Sequence, residues 1–300
     1  MKTLGVILMT LLMLEQSHCG VLQPDDQAFI RSEIASQVEN ITSPQLETVL
    51  QNQAAMMTSQ AEIIRTLADV NKVFVDCLDY HTRGSNGNTS GIIKTHSNGG
   101  DQESYCDMET DGGGWTVFQR HQSDAVSFNR SWAEYKNGFG DLSDNFWWGN
   151  EKLTQALNDG RQYELRIDLS DWEGEHRYAK YSDFHVAPES DNYRLHISGY
   201  SGTAGNSFGA PFRLQYQSAF TTYDRDNDAW ANGNCAHLRS GFWWYNCGLF
   251  SPNGRYSYNS SVPRDSGLHW DNWHGHYYSL KAVSMAFRAI DLQATPYTLI

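Results

Sequence analysis

Positive charge and long apolar runs are both scarce in this sequence. Its 300 residues carry 22 Lys and Arg against 35 Asp and Glu, which gives a formal net charge of −13. Contact with phosphate needs a basic field, so this balance disfavours nucleic acid and anionic membrane surfaces as partners. After the N-terminal region, no segment reaches the roughly 18 consecutive apolar residues of a membrane-spanning helix. We therefore expect no membrane insertion.

Motifs of common enzyme classes are also missing. The sequence has no HExxH or GxSxG motif, and the spacing of its eleven His fits no zinc pattern. It has no Gly-X-Y run, which excludes a collagen stalk, and no internal repeat stands out. We therefore expect a protein that binds rather than catalyses.

The N-terminus is typical of a secretory signal peptide. A basic start is followed by an apolar run over Leu4–Leu14 and by small residues, with a cleavage point after Cys19. This run is too short to span a bilayer. The sequence therefore predicts a signal peptide at residues 1–19 and a secreted, extracellular protein.

Cysteines and sequons agree with secretion. Cleavage removes Cys19 and leaves an even number of cysteines, which predicts two disulfides in an oxidising compartment and allows three pairings. Asn-X-Ser/Thr sequons mark candidate glycosylation sites. The cysteines are Cys77, Cys106, Cys235 and Cys247, and the sequon residues are Asn40, Asn88, Asn129 and Asn259.

Residues 22–75 form a polar, glycine-free segment that we call the stalk. From Leu46 to Phe74 its apolar and Gln positions recur at alternating steps of three and four, the spacing of a coiled coil. A single amphipathic helix packed on the following domain is the alternative. We favour a coiled coil that joins copies of the chain into a homo-oligomer. The repeat does not distinguish two, three or four chains.

The region that follows, residues 77–289, mixes strand and helix patterns, and residues 290–300 form a tail. A triple glycine, Gly112–Gly114, leads into an alternating strand from Trp115. The long stretch from Asp191 to Trp273 has little periodicity, and its aromatic residues predict ordered functional loops. Further strands are predicted at Tyr163–Leu169, Tyr178–Val186, Tyr193–Ser198 and Leu280–Arg288, and helices at Ser131–Lys136 and Asn150–Asn158.

The stretch from Asp224 to Cys247 has the strongest site pattern. Asp224, Asp226 and Asp228 alternate, which can bring several hard oxygens around one point, as Ca²⁺ requires. The spacing is not that of an EF-hand, which wants Gly and Glu where this chain has Ala229 and Cys235. A solvated acidic turn is the alternative.

Several motifs in this region resemble those of fibrinogen-related domains, in the same order along the chain. The resemblance covers residues 77–289 and implies an α+β fold. It predicts a fibrinogen C-terminal-like globular domain of mixed β-sheets with a loop-rich calcium-binding subdomain, preceded by the short coiled-coil helix. It also implies the local pairings Cys77–Cys106 and Cys235–Cys247. The motifs are Tyr105–Arg120, Trp132–Gly140, Phe146–Glu151, Tyr163–Asp168, Ala179–Tyr181, Asp224–Cys247, Asn253–Tyr256 and Ser284–Arg288.

The resemblance implies a calcium site and a ligand site. The calcium ligands map to the side chains of Asp226 and Asp228 and the carbonyls of Trp230 and Asn232, with Asp224 as an outer ligand. Ficolins and tachylectins, the lectins of this family, bind acetyl groups beside a cis peptide, which maps here to Asn246–Cys247. The pocket walls of this chain depart from the lectin pattern, because they are Gly248, Arg264 and His276.

We therefore expect a secreted, calcium-dependent lectin of innate immunity that binds carbohydrates on microbial or cell surfaces. Linking weak sugar sites through the stalk would increase avidity. The alternative is an extracellular protein-binding ligand or matrix component of the angiopoietin-like or tenascin-like type. The altered pocket walls favour this alternative, since an acetyl methyl group needs an apolar cup.

Overall fold

A computed structural model describes residues 48, 51–60, 73–97, 100–208, 217–264 and 266–290. The chain divides into two compact units, residues 1–71 and residues 72–300. In the first unit, residues 51–60 are helical and exposed, including Met56 and Met57. The signal peptide, Asn40, most of the stalk and residues 291–300 of the tail lie outside the described residues. The domain boundaries and the coiled coil therefore stay predictions.

The second unit is built from short helices and antiparallel strands. Its helices are α1 (Cys77–Arg83), α2 (Trp132–Asn137), α3 (Asn150–Leu157), α4 (Ala236–Arg239) and α5 (Asp271–His274). Its strands are β1 (Gly91–Ser97), β2 (Gly100–Asp107), β3 (Trp115–His121), β4 (Phe139–Gly140), β5 (Phe146–Trp147), β6 (Tyr163–Ser170), β7 (His176–Val186), β8 (Leu195–Gly202), β9 (Phe220–Thr221), β10 (Phe242–Trp243), β11 (Phe250–Ser251), β12 (His269–Trp270) and β13 (Ala282–Ala289).

One large sheet organises this unit. Its strands follow the order β1-β2-β3-β13-β6-β7-β8, and the β4–β5 hairpin joins it through β3. The last strand, β13, lies between β3 and β6, with Met285 opposite Gln119 on one side and Ile167 on the other. The strands predicted over Tyr163–Leu169, Tyr178–Val186 and Leu280–Arg288 are therefore present, and the α+β fold class is confirmed.

Sequence chemistry explains the start of two of these elements. Ser131 and Glu134 form a reciprocal capping box at the N-terminus of α2, which satisfies two backbone donors of its first turn. Before β3, Gly112, Gly113 and Gly114 all have positive φ. A Cβ on Gly113 would lie 2.5 Å from the carbonyl oxygen of Met108, so the turn requires glycine there.

Aromatic rings fill the core and join the sheet to the loops that follow it. The rings of Trp147 on β5 and Trp243 on β10 have centroids 5.8 Å apart, and Phe220 on β9 lies 5.2 Å from Trp243. All three side chains are at most 1% exposed. Among the described residues between Phe220 and Leu280, the strands are all two residues long and pair as β9–β10 and β11–β12. Buried rings therefore order a region with little regular structure, as the aromatic content predicted.

No described helix is both long and apolar enough to cross a bilayer.

Candidate functional site

Two disulfides frame the globular unit. Cys77 pairs with Cys106 at a Cα–Cα distance of 5.3 Å, and Cys235 pairs with Cys247 at 5.1 Å. The local pairing that the family resemblance implied is confirmed. The second disulfide begins beside α4 and closes a loop of 12 residues in sequence. That loop carries the short strand β10 and ends where the candidate ligand site begins.

Asp226 and Asp228 share one turn just before this disulfide. The backbone N–H of Asp228 donates to Asp226 Oδ1 over 3.1 Å. Both carboxylate oxygens of Asp228 accept backbone N–H groups, from Trp230 over 2.7 Å and from Cys235 over 2.8 Å. The backbone that follows Asp228 therefore holds its carboxylate in place.

The electrostatics of this turn favour a cation. Burial raises the pKa of the Asp228 carboxyl above its ordinary value, and the two backbone donors oppose that rise. The charge of Asp226 raises it further. A hard cation between two such carboxylates relieves both the burial cost and the repulsion.

The other oxygens of the predicted calcium set follow directly in the chain. The carbonyl oxygen of Trp230 accepts the N–H of Gly233 over 3.2 Å and keeps a second lone pair. Asn232 is exposed at the tip of the same loop. Two carboxylates followed by two backbone carbonyls form an all-oxygen donor set, which fits calcium better than a softer metal.

Asp224 has a different role in the structure. Its Oδ1 accepts the backbone N–H of Trp132 over 2.9 Å and the hydroxyl of Thr222 over 2.7 Å. Trp132 is the first residue of α2, so Asp224 satisfies a free donor at that helix terminus. We therefore do not count Asp224 among the candidate calcium ligands.

The turn after the disulfide differs from the expected one. The peptide bonds of the described residues are all trans, so the expectation of a cis bond at Asn246–Cys247 is wrong. A cis bond to a residue other than proline costs about 3 kcal/mol. The chain changes direction instead through positive φ at Cys247 (54°) and Gly248 (56°). Asn246 is exposed at this turn, and Gly248 is buried.

Arg239 holds this turn in place, a role that sequence reasoning missed. Its Nη1 donates to the carbonyl oxygen of Cys247 and, over 3.2 Å, to that of Gly248. The same nitrogen lies 3.4 Å from Nε2 of the buried His269. Arg239 is only 6% exposed, which is unusual for a cation. This burial, visible only in the structure, identifies its role.

Charged side chains occupy the predicted pocket walls. His276 Nε2 lies 2.9 Å from an Asp271 carboxylate oxygen, and its ring centroid lies 6.1 Å from that of His269. Arg264 is exposed. Gly248 contributes no side chain. These residues provide polar and charged groups where an acetyl-binding site needs an apolar cup.

A second group of candidate ligands lies next to this region. Within the described part of the chain, Asp171, Glu173 and His274 have ligand atoms within 4.8 Å of one another. His274 Nε2 lies 3.1 Å from Asp171, and Tyr278 donates to Glu173. These contacts tie the β6–β7 turn to α5.

A cleft of about 530 Å³ lies between the sheet and the loops. His121, Asp124, Asn129 and His237 are among its lining residues. Asn129 belongs to a sequon and is exposed, as are the sequon residues Asn88 and Asn259. All three described sequons are therefore accessible to glycosylation.

Comparison with known sequences assigns this architecture to a family. The family model for the C-terminal globular domain of fibrinogen beta and gamma chains matches residues 73–290. The chain belongs to this family. The fibrinogen-related resemblance is therefore confirmed, including the mixed-sheet globe.

Relatives within the family correct the expected function. Angiopoietin-related protein 7 of Bos taurus is 38% identical over 253 residues, which are 81% of this chain and 70% of the relative. Human angiopoietin-2 is 38% identical over 253 residues and matches 82% of this chain, which spans about half, 49%, of that relative. These relatives are an angiopoietin-related protein and an angiopoietin, not ficolins or tachylectins. The expectations of a lectin and of carbohydrate partners are therefore wrong.

Solved structures of fibrinogen-related proteins also match this chain. The fibrinogen-like globe domain of human ANGPTL6 matches with a TM-score of 0.69 at 32% identity, over 74% of this chain and 97% of that one. Lamprey fibrin D-dimer, solved with the peptide ligand Gly-His-Arg-Pro-amide, matches with a TM-score of 0.66 at 28% identity. That match covers 92% of this chain and 98% of the lamprey chain.

The motifs on which the resemblance rested predicted the fold and the disulfide pairing correctly. The motifs do not decide which ligand the loops bind. The wall residues Gly248, Arg264 and His276 did indicate a ligand other than an acetylated sugar, because they depart from the lectin pattern.

Proposed function

We propose that this chain is a secreted, non-enzymatic ligand that binds a protein partner through the face around Cys247. This ligand face consists of Asn246, Cys247, Gly248, Arg264 and His276. The observation that carries the proposal is the pair of hydrogen bonds from buried Arg239 to the carbonyls of Cys247 and Gly248. They fix the backbone of the turn that follows exposed Asn246, which is the preorganisation that peptide recognition exploits.

The chemistry around the turn supports a polypeptide partner. Asp271 lies beside the turn, because its N–H donates to the carbonyl of Leu249 over 3.0 Å, and it pairs with His276. Arg264 is an exposed cation. Charged groups and a fixed backbone suit the amides and charged side chains of a peptide. The structural likeness to lamprey fibrin D-dimer, which was solved with a peptide ligand, agrees with this choice.

Calcium is proposed as a structural ion of this face. Asp226 and Asp228 would hold it with their side chains, and Trp230 and Asn232 with their carbonyls. Bound there, the ion would neutralise the two carboxylates. Asp228 also accepts the N–H of Cys235, so its position is linked to the disulfide that ends at Cys247.

Secretion is part of the proposal. Two disulfides, three exposed sequons and the predicted signal peptide all suit an oxidising, extracellular environment. The angiopoietin-related relatives agree with this location.

Substitutions that change the charge of exposed residues test the ligand face. The full secreted chain would be titrated onto cells or extracellular proteins that bind it saturably. We expect Arg264→Glu and Asn246→Arg to weaken binding by roughly tenfold or more, because both alter an exposed position of the face. Lys94→Glu on β1, 72% exposed as a side chain, is the matched control and should bind like the wild type. Equal binding by all three variants would refute the proposed face.

A further inference from the structure

Two histidines, His185 and His196, differ from the other described histidines in their hydrogen bonding. Ten of the eleven histidines lie in the described residues, and eight of these have a polar partner. The other two are His185 on β7 and His196 on β8. Neither ring hydrogen-bonds to any part of the described chain, but the two rings contact each other, with centroids 5.9 Å apart.

The sheet register fixes this pair. His185 and His196 are direct cross-strand partners in the antiparallel β7–β8 ladder. Their neighbours Phe184, Val186 and Ile197 are buried. Because side chains alternate along a strand, the histidines point to the opposite face from these apolar residues. Both are half-buried, so solvent reaches the rings while the backbone restrains them.

The spacing suits one shared ion. Two imidazole nitrogens, each about 2.1 Å from one metal ion, place the ring centres about 5 to 6 Å apart. The observed 5.9 Å lies in this range.

We propose that His185 and His196 form a binding site for a divalent transition-metal ion that prefers imidazole, such as Zn²⁺ or Cu²⁺. The two rings supply two ligands, and water completes the coordination. The ion would link β8, which ends the sheet order, to β7. Calcium, which takes oxygen ligands, would not compete.

Zinc titration tests this site. Zn²⁺ would be titrated calorimetrically into the full secreted chain, without a histidine tag, in buffer that contains calcium. We expect His185→Gln and His196→Gln each to weaken zinc binding by roughly tenfold or more. His176→Gln, at the start of β7, and His274→Gln, in the group with Asp171 and Glu173, should leave that affinity unchanged. Unchanged binding in the first two variants, or loss only in His274→Gln, would overturn the proposal.

A measurement on the wild-type chain avoids any effect of substitution on folding. Diethylpyrocarbonate modifies accessible neutral imidazoles, and mass spectrometry locates the product. Zn²⁺ should protect His185 and His196 from modification and leave His176 reactive. Equal modification of the pair with and without zinc would contradict the site.

Discussion

Arg239 donates a hydrogen bond to the carbonyl oxygen of Gly248 over 3.2 Å, from within a side chain that is only 6% exposed. The same nitrogen also donates to the carbonyl of Cys247. One buried cation thus orients two consecutive peptides at the turn after the disulfide. The proposed ligand face depends on this contact.

Replacing Arg239 should therefore impair both stability and binding. Arg239→Leu leaves the carbonyls of Cys247 and Gly248 without their charged donor. We expect the free energy of unfolding to fall by about 2 to 3 kcal/mol. Arg239→Lys keeps the charge but replaces the rigid guanidinium with a flexible ammonium, so partner binding should fall more than stability. Urea denaturation and partner titration measure the two effects. Arg255→Lys, at an exposed position, is the control. Wild-type binding by Arg239→Lys would show that the turn does not need the rigid guanidinium.

Calcium should distinguish Asp226 from Asp224. Calcium at about 100 times its Kd should raise the unfolding free energy of the wild type by about 2.7 kcal/mol. Asp226→Asn should abolish this gain and partner binding while the domain stays folded. Asp224→Asn should keep the calcium response and lose about 0.5 to 2 kcal/mol in stability, because it weakens the contact with the α2 terminus. Thermal unfolding of each variant with calcium and with EDTA measures the calcium-dependent gain in stability. If only Asp224→Asn lost this gain, the assignment of Asp226 as a calcium ligand would be contradicted.

The two disulfides should have separable effects. Replacing Cys235 and Cys247 together with Ala should cost about 3 kcal/mol in stability and also abolish partner binding. The matched Cys77→Ala, Cys106→Ala double variant should cost about 3 to 4 kcal/mol, because its loop is longer. It should retain binding, measured below its unfolding temperature. If both double variants lost binding equally while folded, the ligand face would not depend on the Cys235–Cys247 loop.

His121 should make stability depend on pH. Burial lowers its pKa from 6.5 to about 4, although its ring contacts the carbonyl of Pro252. The unfolded chain therefore binds this proton at a higher pH than the folded chain does. The stabilising effect is complete above pH 6.5 and is lost progressively as the pH falls towards about 4. The loss amounts to about 3 kcal/mol. Urea denaturation across this range should show a flatter pH dependence for His121→Gln than for the wild type; an identical slope would refute the assignment.

Sequence reasoning reached the fold because the relevant signals were local. Alternating residues in Tyr163–Leu169 predicted β6, and Ser131 with Glu134 supplied the cap that begins α2. The even cysteine count and the family resemblance together predicted the disulfides. The eighth strand begins at Leu195, two residues later than predicted, because the positive φ of Asn192 and Tyr193 interrupts the extended chain there.

The candidate site was only partly predictable, because its decisive contacts join distant segments. Asp224 looked like a member of an acidic triplet, yet it contacts Trp132, 92 residues earlier. Arg239 and His269 are 30 residues apart and meet at the same turn. No local pattern contains such pairings. They arise from the packing of the loops on the sheet.

Selective treatment of the target cell surface tests the protein-ligand account most directly. Binding of the full secreted chain would be measured on cells treated with protease, with a mixture of glycosidases, or with neither, each in the presence of calcium. The account predicts saturable binding that protease removes and that glycosidases and acetylated sugars leave unchanged. Binding that survives protease and disappears with glycosidases or acetylated sugars would contradict it.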